Sequence, residues 1–224
     1  SSSDWSSDVC SSDLFDLTIL TYILIALVAF GITILLWLLY MGVFRKIVID
    51  VREVPEMTVL NFNYTGSMKD TAKGAAHMEK RARELLPGIT IFPRMGGFYY
   101  TTPSAVKNPE DNEWSCFFIL DDVPEMLEVA KQLPVSTEYS VLTIPKSRVM
   151  YGSFPYRNSL SYMLGPMKIY PAITAMMNSN DIKPVGCAEI YHYNPEPIEY
   201  MMYLDHKEVF DTLQTTKFVK ANLL

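Results

Sequence analysis

The chain repeats a short pattern of residues after about ninety positions, and this repeat constrains the fold more than any single motif. The first copy, at 54–64, reads V-P-E-M-T-V-L-N-F-N-Y, and the second, at 144–154, reads I-P-K-S-R-V-M-Y-G-S-F. Both copies place an aliphatic residue before proline and two apolar residues at the same distance after it. The segments 118–121 and 202–205 also match. Repetition at this length indicates a duplicated supersecondary unit, although a match this short can also arise by chance.

The first copy is predicted to form a strand, a helix and two further strands. An alanine-rich segment with helical spacing runs over 67–86 and stops at a Pro-Gly pair. A short strand is expected at 89–92, followed by a long Gly- and Pro-rich loop at 93–112. Residues 114–120 are apolar and aromatic, which is typical of a buried strand.

The second copy shows the same order of elements. Its helix is expected over 159–178, with internal prolines that should kink or split it. Strands are expected at 187–192 and 199–205, joined as a hairpin. Two such β-α-β-β units predict an α+β domain with an antiparallel sheet and helices on one face.

A long uncharged segment precedes this domain. Residues 17–44 form one apolar run, which at ~1.5 Å per residue can cross a ~30 Å hydrocarbon core as a transmembrane helix. A buried helix and a signal peptide are the alternatives, but a signal peptide has a shorter apolar core that follows positive charge. Arg45, Lys46 and Arg52 follow the run and no basic residue precedes it, so 45–224 is predicted to be cytosolic.

The remaining boundaries follow from composition. Residues 1–16 repeat Ser-Ser-Asp and are interpreted as low complexity or as translated non-coding sequence. The globular domain is expected over 45–206, and 207–224 is expected to be a short tail. The net charge is −6, without the clustered Lys and Arg that nucleic acid binding requires. The three cysteines contain no CxxC pair, so no disulfide framework, metal site or cofactor is expected.

The segments 51–66 and 144–156, with the Glu-Ile-Tyr strand at 189–191, resemble the GyrI-like domain family, which is gyrase-inhibitor-like and SOUL-related. The resemblance covers roughly 47–206 and implies two such units around a small-molecule cleft. Together with the preceding span, the chain is similar to the testis-expressed reticulophagy-receptor group. That resemblance implies a single-pass protein of the endoplasmic reticulum membrane that recruits autophagy machinery. The group carries a long acidic tail, which this sequence does not show.

A carboxylate in the Glu-Ile-Tyr strand is the leading candidate for ligand binding. Strand alternation places Cys187, Glu189 and Tyr191 on one face. In a partly desolvated cleft such a carboxylate can pair with a small amphipathic or cationic ligand. A solvated glutamate on a strand is the alternative, and the resemblance implies the cleft position. Aromatic residues expected to line the cleft, or alternatively to be ordinary core, are Tyr64, Tyr99, Tyr100, Trp114, Tyr151, Phe154 and Tyr191.

Catalysis has little support in the sequence. No Ser-His-Asp or Cys-His arrangement is readable, and no catalytic residue is assigned. The resemblance includes hydrolases in which the strand glutamate activates water, so Glu189 is a candidate general base. His77 lies on the first helix and could ligate haem, as in SOUL relatives, but a solvated or packed histidine is the simpler interpretation.

The expected tail contains a candidate partner motif. Phe210 and Leu213 are separated by two residues and flanked by acids. This is the core pattern of the motif that adds a strand to ubiquitin-like autophagy proteins. A helical or frayed chain end is the alternative.

Two functional hypotheses therefore stand side by side. The first is an adaptor of the endoplasmic reticulum membrane that recruits a partner. The second is a small-molecule-binding module, with hydrolysis as a further option, that uses the cleft and Glu189.

Overall fold

The computed structural model describes residues 8–88, 91, 93–100, 106–192 and 196–224, with side chains described from residue 17 onward. The chain divides into two compact units. Each of them is described separately below.

The first unit, Ser1–Lys46, contains one long helix, α1 (Asp8–Tyr40). Its stretch Leu17–Tyr40 has 24 residues, a mean hydropathy of 2.7 and no buried residue. By length and composition this stretch fits a membrane span, and a signal sequence near an N-terminus meets the same criteria. The transmembrane helix was expected to continue to residue 44, but α1 ends at Tyr40 and residues 41–44 form a turn.

The second unit, Ile47–Leu224, is built on a nine-stranded sheet. Its three buried clusters draw only on residues of this unit, so it has a core of its own. The strands are β1 (Asp50–Val54), β2 (Met57–Thr65), β3 (Met95–Phe98), β4 (Glu113–Ile119), β5 (Ser140–Ile144), β6 (Ser147–Phe154), β7 (Gly186–Tyr191), β8 (Ile198–Tyr203) and β9 (Val219–Lys220). The helices are α2 (Thr71–Leu85), α3 (Pro124–Ala130), α4 (Ser161–Asn180) and α5 (Lys207–Leu213).

The order of the strands confirms the predicted duplication. The sheet runs β1-β6-β8-β7-β3-β4-β2-β5, with β9 beside β2. The two repeated units within the domain 47–224 are β2-α2-β3-β4 and β6-α4-β7-β8. They meet where β3 pairs with β7. The strand before each unit crosses to the other one, because β1 pairs with β6 and β5 pairs with β2. The α+β class and the antiparallel sheet are therefore confirmed, and only the β2–β9 pair is parallel among the described strands.

The matching segments at the ends of β4 and β8 make matching hydrogen bonds. The backbone N–H of Thr58 donates to Asp121 Oδ2 over 2.5 Å. The backbone N–H of Arg148 donates to Asp205 Oδ2 over 3.0 Å. Each aspartate thus accepts a hydrogen bond from a backbone N–H near the start of its own repeated unit. This shared role explains why the two segments match in sequence.

Helices α2 and α4 pack on the same face of the sheet, as predicted. Each helix carries a glycine where it crosses a large aromatic ring of the sheet. A Cβ atom at Gly74 would overlap the ring of Trp114, and one at Gly165 would overlap the hydroxyl of Tyr200. Glycine is required at both positions because the helices approach the sheet closely.

The segment predicted as a tail is instead part of the folded unit. Helix α5 lies on the opposite face of the sheet from α2 and α4, and it buries Phe210 and Leu213. Strand β9 then extends the sheet beside β2. The boundary at residue 206 is therefore wrong, because the strands leave an apolar face that residues 207–224 cover.

The second strand of the first repeated unit, β3, also differs from the prediction. The strand expected at 89–92 lies mostly outside the described residues, and β3 instead falls in the segment that was expected to be a loop. Gly96 and Gly97 suggested a loop, but both belong to this strand. A Cβ atom at Gly96 would overlap the Phe117 ring and approach the Glu189 carbonyl, so the central strands need glycine to pack here.

Candidate functional site

The candidate site lies on the helix face, at the junction of the two repeated units. In the sheet order, β7 and β3 separate β8, which lies beneath α4, from β4, which lies beneath α2. Glu189 on β7 pairs with Gly97 on β3 and with Tyr200 on β8. Because Gly97 has no side chain, the ring of Tyr99 can pack over the backbone of Gly97, beside Glu189.

Glu189 is buried and held by tyrosine hydroxyls. Only 5% of the residue is exposed. Tyr170 on α4 donates a short hydrogen bond to Oε1, and Tyr191 donates to Oε2 over 2.7 Å. The hydroxyls of Tyr191 and Tyr99 are 2.9 Å apart. The carboxylate is thus the acceptor at the centre of a tyrosine network drawn from α4, β7 and β3.

The electrostatic setting of this carboxylate is unusual. Burial raises the pKa of Glu189, and the hydrogen bonds from Tyr170 and Tyr191 oppose that rise. Among the described residues, no Lys, Arg or His forms an ion pair with it, although buried carboxylates are normally paired. The site therefore presents a buried acceptor of negative charge that lacks a cation.

The surrounding groups remain neutral at physiological pH. Burial raises the pKa values of Tyr99, Tyr170 and Tyr191 well above the ordinary tyrosine value. Cys187 Sγ lies 3.6 Å from the Tyr170 hydroxyl, and burial raises the pKa of this thiol to about 12. A thiol with that pKa is not a nucleophile at neutral pH, so the described site offers hydrogen-bond donors and rings rather than an activated cysteine.

Aromatic rings connect the buried carboxylate with the surface. The ring of Tyr162, at the start of α4, meets that of Tyr191 edge-on with centroids 5.4 Å apart. Tyr156 lies 5.2 Å beyond Tyr162. Tyr162 is half-exposed, so it forms the outer end of this path. Neither the surface depression lined by Ala76, Glu79 and Arg83 nor the one lined by Thr65, Glu113 and Lys220 includes Glu189.

The structure separates the five residues that the sequence proposed for the cleft. Glu189 and Tyr191 lie together at the site. Tyr64 and Trp114 instead stack on each other beneath α2, with centroids 4.9 Å apart. Tyr151 lies on the opposite face of the sheet, where its hydroxyl donates to Glu199 over 2.7 Å.

The wider aromatic set divides in the same way. Tyr99 joins the site, whereas Tyr100 donates to the buried Asn63 side chain over 3.0 Å and Phe154 packs beneath α4. His77, the considered haem ligand, lies 3.1 Å from the Tyr64 hydroxyl through Nδ1. The packed-histidine interpretation of His77 therefore agrees with its position.

The sequence missed Tyr170, which makes the shortest contact with the carboxylate. Its signal was present in the helix, because Tyr162, Pro166 and Tyr170 recur at four-residue spacing and so share one flank of α4. That flank points toward β7, as the contacts of Tyr162 and Tyr170 show.

The partner motif is not accessible in this structure. Phe210 packs against the rings of Phe98 and Tyr203 in the core, and Leu213 belongs to the same buried cluster. A strand-adding motif must be extended and exposed, whereas these residues form the buried side of α5. The expected role of Phe210 and Leu213 in partner binding is therefore contradicted for the folded chain.

Comparison with known proteins gives matches only among solved structures. No family model and no curated protein matches the sequence. The EcmrR C-terminal domain has 10% identity and a TM-score of 0.48, covering 71% of this chain and 98% of its own. A hydrolase from Listeria innocua has 13% identity and a TM-score of 0.42, with 71% and 94% covered.

A third similar structure is SAV2435 bound to tetraphenylphosphonium. It has 10% identity and a TM-score of 0.41, with 72% of this chain and 96% of that chain covered. All three TM-scores are below 0.5. These similarities therefore carry no argument about function, and the chemistry of the site rests on its own geometry.

Proposed function

We propose that residues 47–224 bind a small cationic ligand at Glu189, in a domain that the N-terminal helix holds at a membrane. The observation that carries this proposal is the buried carboxylate without a cationic partner among the described residues. The GyrI-like resemblance, which implies a small-molecule cleft between two repeated units, agrees with this position.

Physical chemistry favours a cation over other ligands at this point. Burial of an ionised carboxylate costs on the order of several kcal/mol in lost hydration free energy, and a bound cation offsets part of that cost. The faces of the surrounding tyrosine rings attract cations as well. In addition, the hydroxyl of Tyr200 is buried beneath Gly165 and has no hydrogen-bond partner among the described residues, so it is available to a polar ligand group.

Titration of residues 47–224 with benzyltrimethylammonium tests the proposal. Binding is expected for the wild-type domain, and Glu189→Gln is expected to weaken it at least tenfold, because glutamine keeps the shape but removes the charge. The uncharged alcohol 3-phenylpropan-1-ol serves as the matched ligand and should bind the two proteins equally. Equal affinity of the cation for both proteins would overturn the proposal.

The proposal places residues 45–224 in the cytosol behind a single span, Leu17–Tyr40. The basic residues after the span support this orientation, and the endoplasmic reticulum is the membrane that the family resemblance implies. The sequence Asn63-Tyr64-Thr65 matches a glycosylation sequon, but Asn63 is 1% exposed in the folded domain, so reporter sequons at the two chain ends are the better test. A sequon appended after Leu224 should stay unmodified, while one inserted before residue 8 should be glycosylated; the reverse pattern would contradict the orientation.

The adaptor hypothesis receives no support from the geometry. Its expected motif at Phe210 and Leu213 is buried, and ubiquitin-like autophagy proteins are not proposed as partners. Hydrolysis is not proposed either, because the observation that carries the proposal, a buried carboxylate without a cationic partner among the described residues, concerns binding.

A further inference from the structure

Strand β1 forms one edge of the nine-stranded sheet and is exposed along most of its length. Among the described residues its strand partner is β6, on one side. The side chains of Val51 and of Val48, two residues before the strand, are apolar, and these residues are 46% and 69% exposed. An exposed edge strand is a template to which a further strand can be added.

The pairing of β6 shows which backbone groups of β1 point outward. The Arg148 carbonyl accepts a backbone hydrogen bond of 3.0 Å from the residue after β8, so Arg148 faces β8. Because this direction alternates along a strand, the next residue, Val149, faces β1, where it pairs with Arg52. The two neighbours of Arg52, Val51 and Glu53, therefore direct their backbone N–H and C=O groups away from the sheet.

The charges on β1 select one antiparallel register for a second copy of the same strand. When Val51 faces the partner's Val51, Asp50 faces the partner's Arg52, and the reciprocal pair forms as well. A shift of two residues in one direction places Arg52 opposite Arg52, and a shift in the other places Asp50 opposite Asp50. Like charges directly opposite each other destabilise a strand pair. The charges therefore exclude the neighbouring registers and permit this one.

Apolar residues complete the same register. Val48 faces the partner's Val54, and the two copies of Val51 face each other across the twofold axis. Facing β-branched residues stabilise a strand pair. A twofold contact uses the same patch on both copies, so each valine is matched twice. The register thus covers the two valines that a single copy leaves exposed.

The charged side chains are ordered before a second copy arrives. Arg52 Nη2 donates to Asp50 Oδ2 over 2.8 Å, and both side chains are 47% exposed. The guanidinium Cζ lies 3.8 Å from the centroid of the Tyr151 ring. Arg52 Nη1 makes no hydrogen bond with the described residues and can donate to the partner's Asp50. Because these groups are already held in place, pairing costs less side-chain entropy.

We infer that residues 47–224 form a twofold-symmetric dimer in which two β1 strands pair and join the two sheets into one. Directly opposite residues of antiparallel strands point to the same face of a sheet. Helices α2 and α4 of both copies therefore lie on one side, and the dimer presents two Glu189 sites on that side. Formation of the dimer does not require a ligand at Glu189.

Sedimentation velocity of residues 47–224, with charge-reversal variants, tests this dimer. The five-residue strand makes a small interface, so the wild-type domain is expected to dimerise weakly, below about 1 mM. Asp50→Arg and Arg52→Asp should each weaken dimerisation at least about tenfold, because like charges then face each other. An equimolar mixture of the two variants should recover it, because the arginines of one variant face the aspartates of the other.

The mixture separates pairing between copies from effects within one chain. Neither variant keeps the Asp50–Arg52 contact, so recovery in the mixture comes from contacts between chains. Val51→Lys, which places two ammonium groups at the axis, should weaken dimerisation at least about tenfold. Val135→Lys is the matched control, since Val135 is a fully exposed valine between α3 and β5, and it should dimerise like the wild type. Thermal unfolding of each variant checks that it is folded.

Three results would refute the dimer. A wild-type domain that stays monomeric up to about 1 mM leaves the edge to another occupant, such as a strand of a different protein. Dimers that tolerate both charge reversals use another surface. A mixture that stays monomeric while the wild type dimerises contradicts the assigned register. Each of these results leaves cation binding at Glu189 unaffected, so the proposed function is tested separately.

Discussion

The two repeated units place different residues at the same position of the sheet, and this difference creates the site. Met95 pairs with Phe118 in the first unit, and Cys187 pairs with Met202 in the second. Because 118–121 and 202–205 are the matching segments of the repeat, Met95 corresponds to Cys187. Two residues further along, Gly97 corresponds to Glu189, and these two residues face each other in the β3–β7 pair.

The next pair of equivalent residues has kept its chemistry. Tyr99 corresponds to Tyr191, and their hydroxyls hydrogen-bond to each other across the junction. The duplicated fold thus supplies two tyrosines and one carboxylate. A single buried carboxylate can be neutralised by one cation, whereas two at this distance would repel each other, so the glycine in the first unit is as important as the glutamate in the second.

The helices that follow the units also diverge. After β4, helix α3 buries Met126 in the cluster beneath α2. After β8, helix α5 turns to the opposite face and buries Phe210 there. The helix that follows the second repeated unit, α5, therefore covers the face of the sheet that neither α2 nor α4 covers.

Removal of the Phe210 ring should have the largest effect on stability. Phe210→Ala is expected to lower the free energy of unfolding by about 3–5 kcal/mol, because a fully buried ring leaves a cavity. Urea denaturation measures this loss, with Met126→Ala in α3 as the counterpart, expected at about 2–5 kcal/mol. A loss below about 1 kcal/mol for Phe210→Ala would contradict the packing of α5.

A second carboxylate at the junction should be nearly as damaging. Gly97→Glu places two carboxylates in one buried site and is expected to cost on the order of 3 kcal/mol of stability. Gly97→Ala is the control for the added Cβ atom, which would lie 3.0 Å from the Ser115 carbonyl. Glu189→Gln in the Gly97→Glu background should recover part of the loss. If Gly97→Glu and Gly97→Ala are equally stable, the like-charge argument is wrong.

The two units can also be compared through one hydroxyl each. Tyr170→Phe removes a donor to the Glu189 carboxylate and is expected to cost about 1.5–3 kcal/mol at neutral pH. Tyr64→Phe removes a contact with the partly buried His77 ring and is expected to cost about 0.5–1.5 kcal/mol. Urea denaturation of the two variants under one condition gives the comparison. Equal losses of unfolding free energy would show that the hydrogen bond from Tyr170 to the Glu189 carboxylate is no stronger than the contact between Tyr64 and His77.

The smallest expected effect is a dependence on pH. Since burial raises the pKa of Glu189 in the folded chain, the folded state favours the protonated carboxyl. Stability should therefore fall as the pH rises from the ordinary glutamate pKa through the raised one. Measured against Glu189→Gln, which cannot titrate, wild-type stability should decline across this window, and cation affinity should rise across it. A constant difference between the two proteins over this range would contradict the raised pKa.

Much of the fold was readable because its signals are local or repeated. The sequence repeat at 54–64 and 144–154 predicted two units with the same order of strands and helix. Strand alternation correctly grouped Glu189 with Tyr191. Strand β3 was missed because Gly96 and Gly97 are poor strand formers by themselves. They are needed only because Phe117 and the Glu189 backbone approach from other strands. The short motif at Phe210 was misread because burial depends on the face that α5 covers.

The sequence alone determined the periodicities: a long uncharged helix, two β-α-β-β units, and one carboxylate that alternates with an aromatic residue on a strand. Tertiary structure decided which side chains meet. Tyr99, Tyr170 and Glu189 come from three elements far apart in the chain, and their contact depends on strand order and helix placement. Backbone periodicity is encoded in neighbouring residues, whereas the meeting of distant residues follows from the packing of the whole sheet.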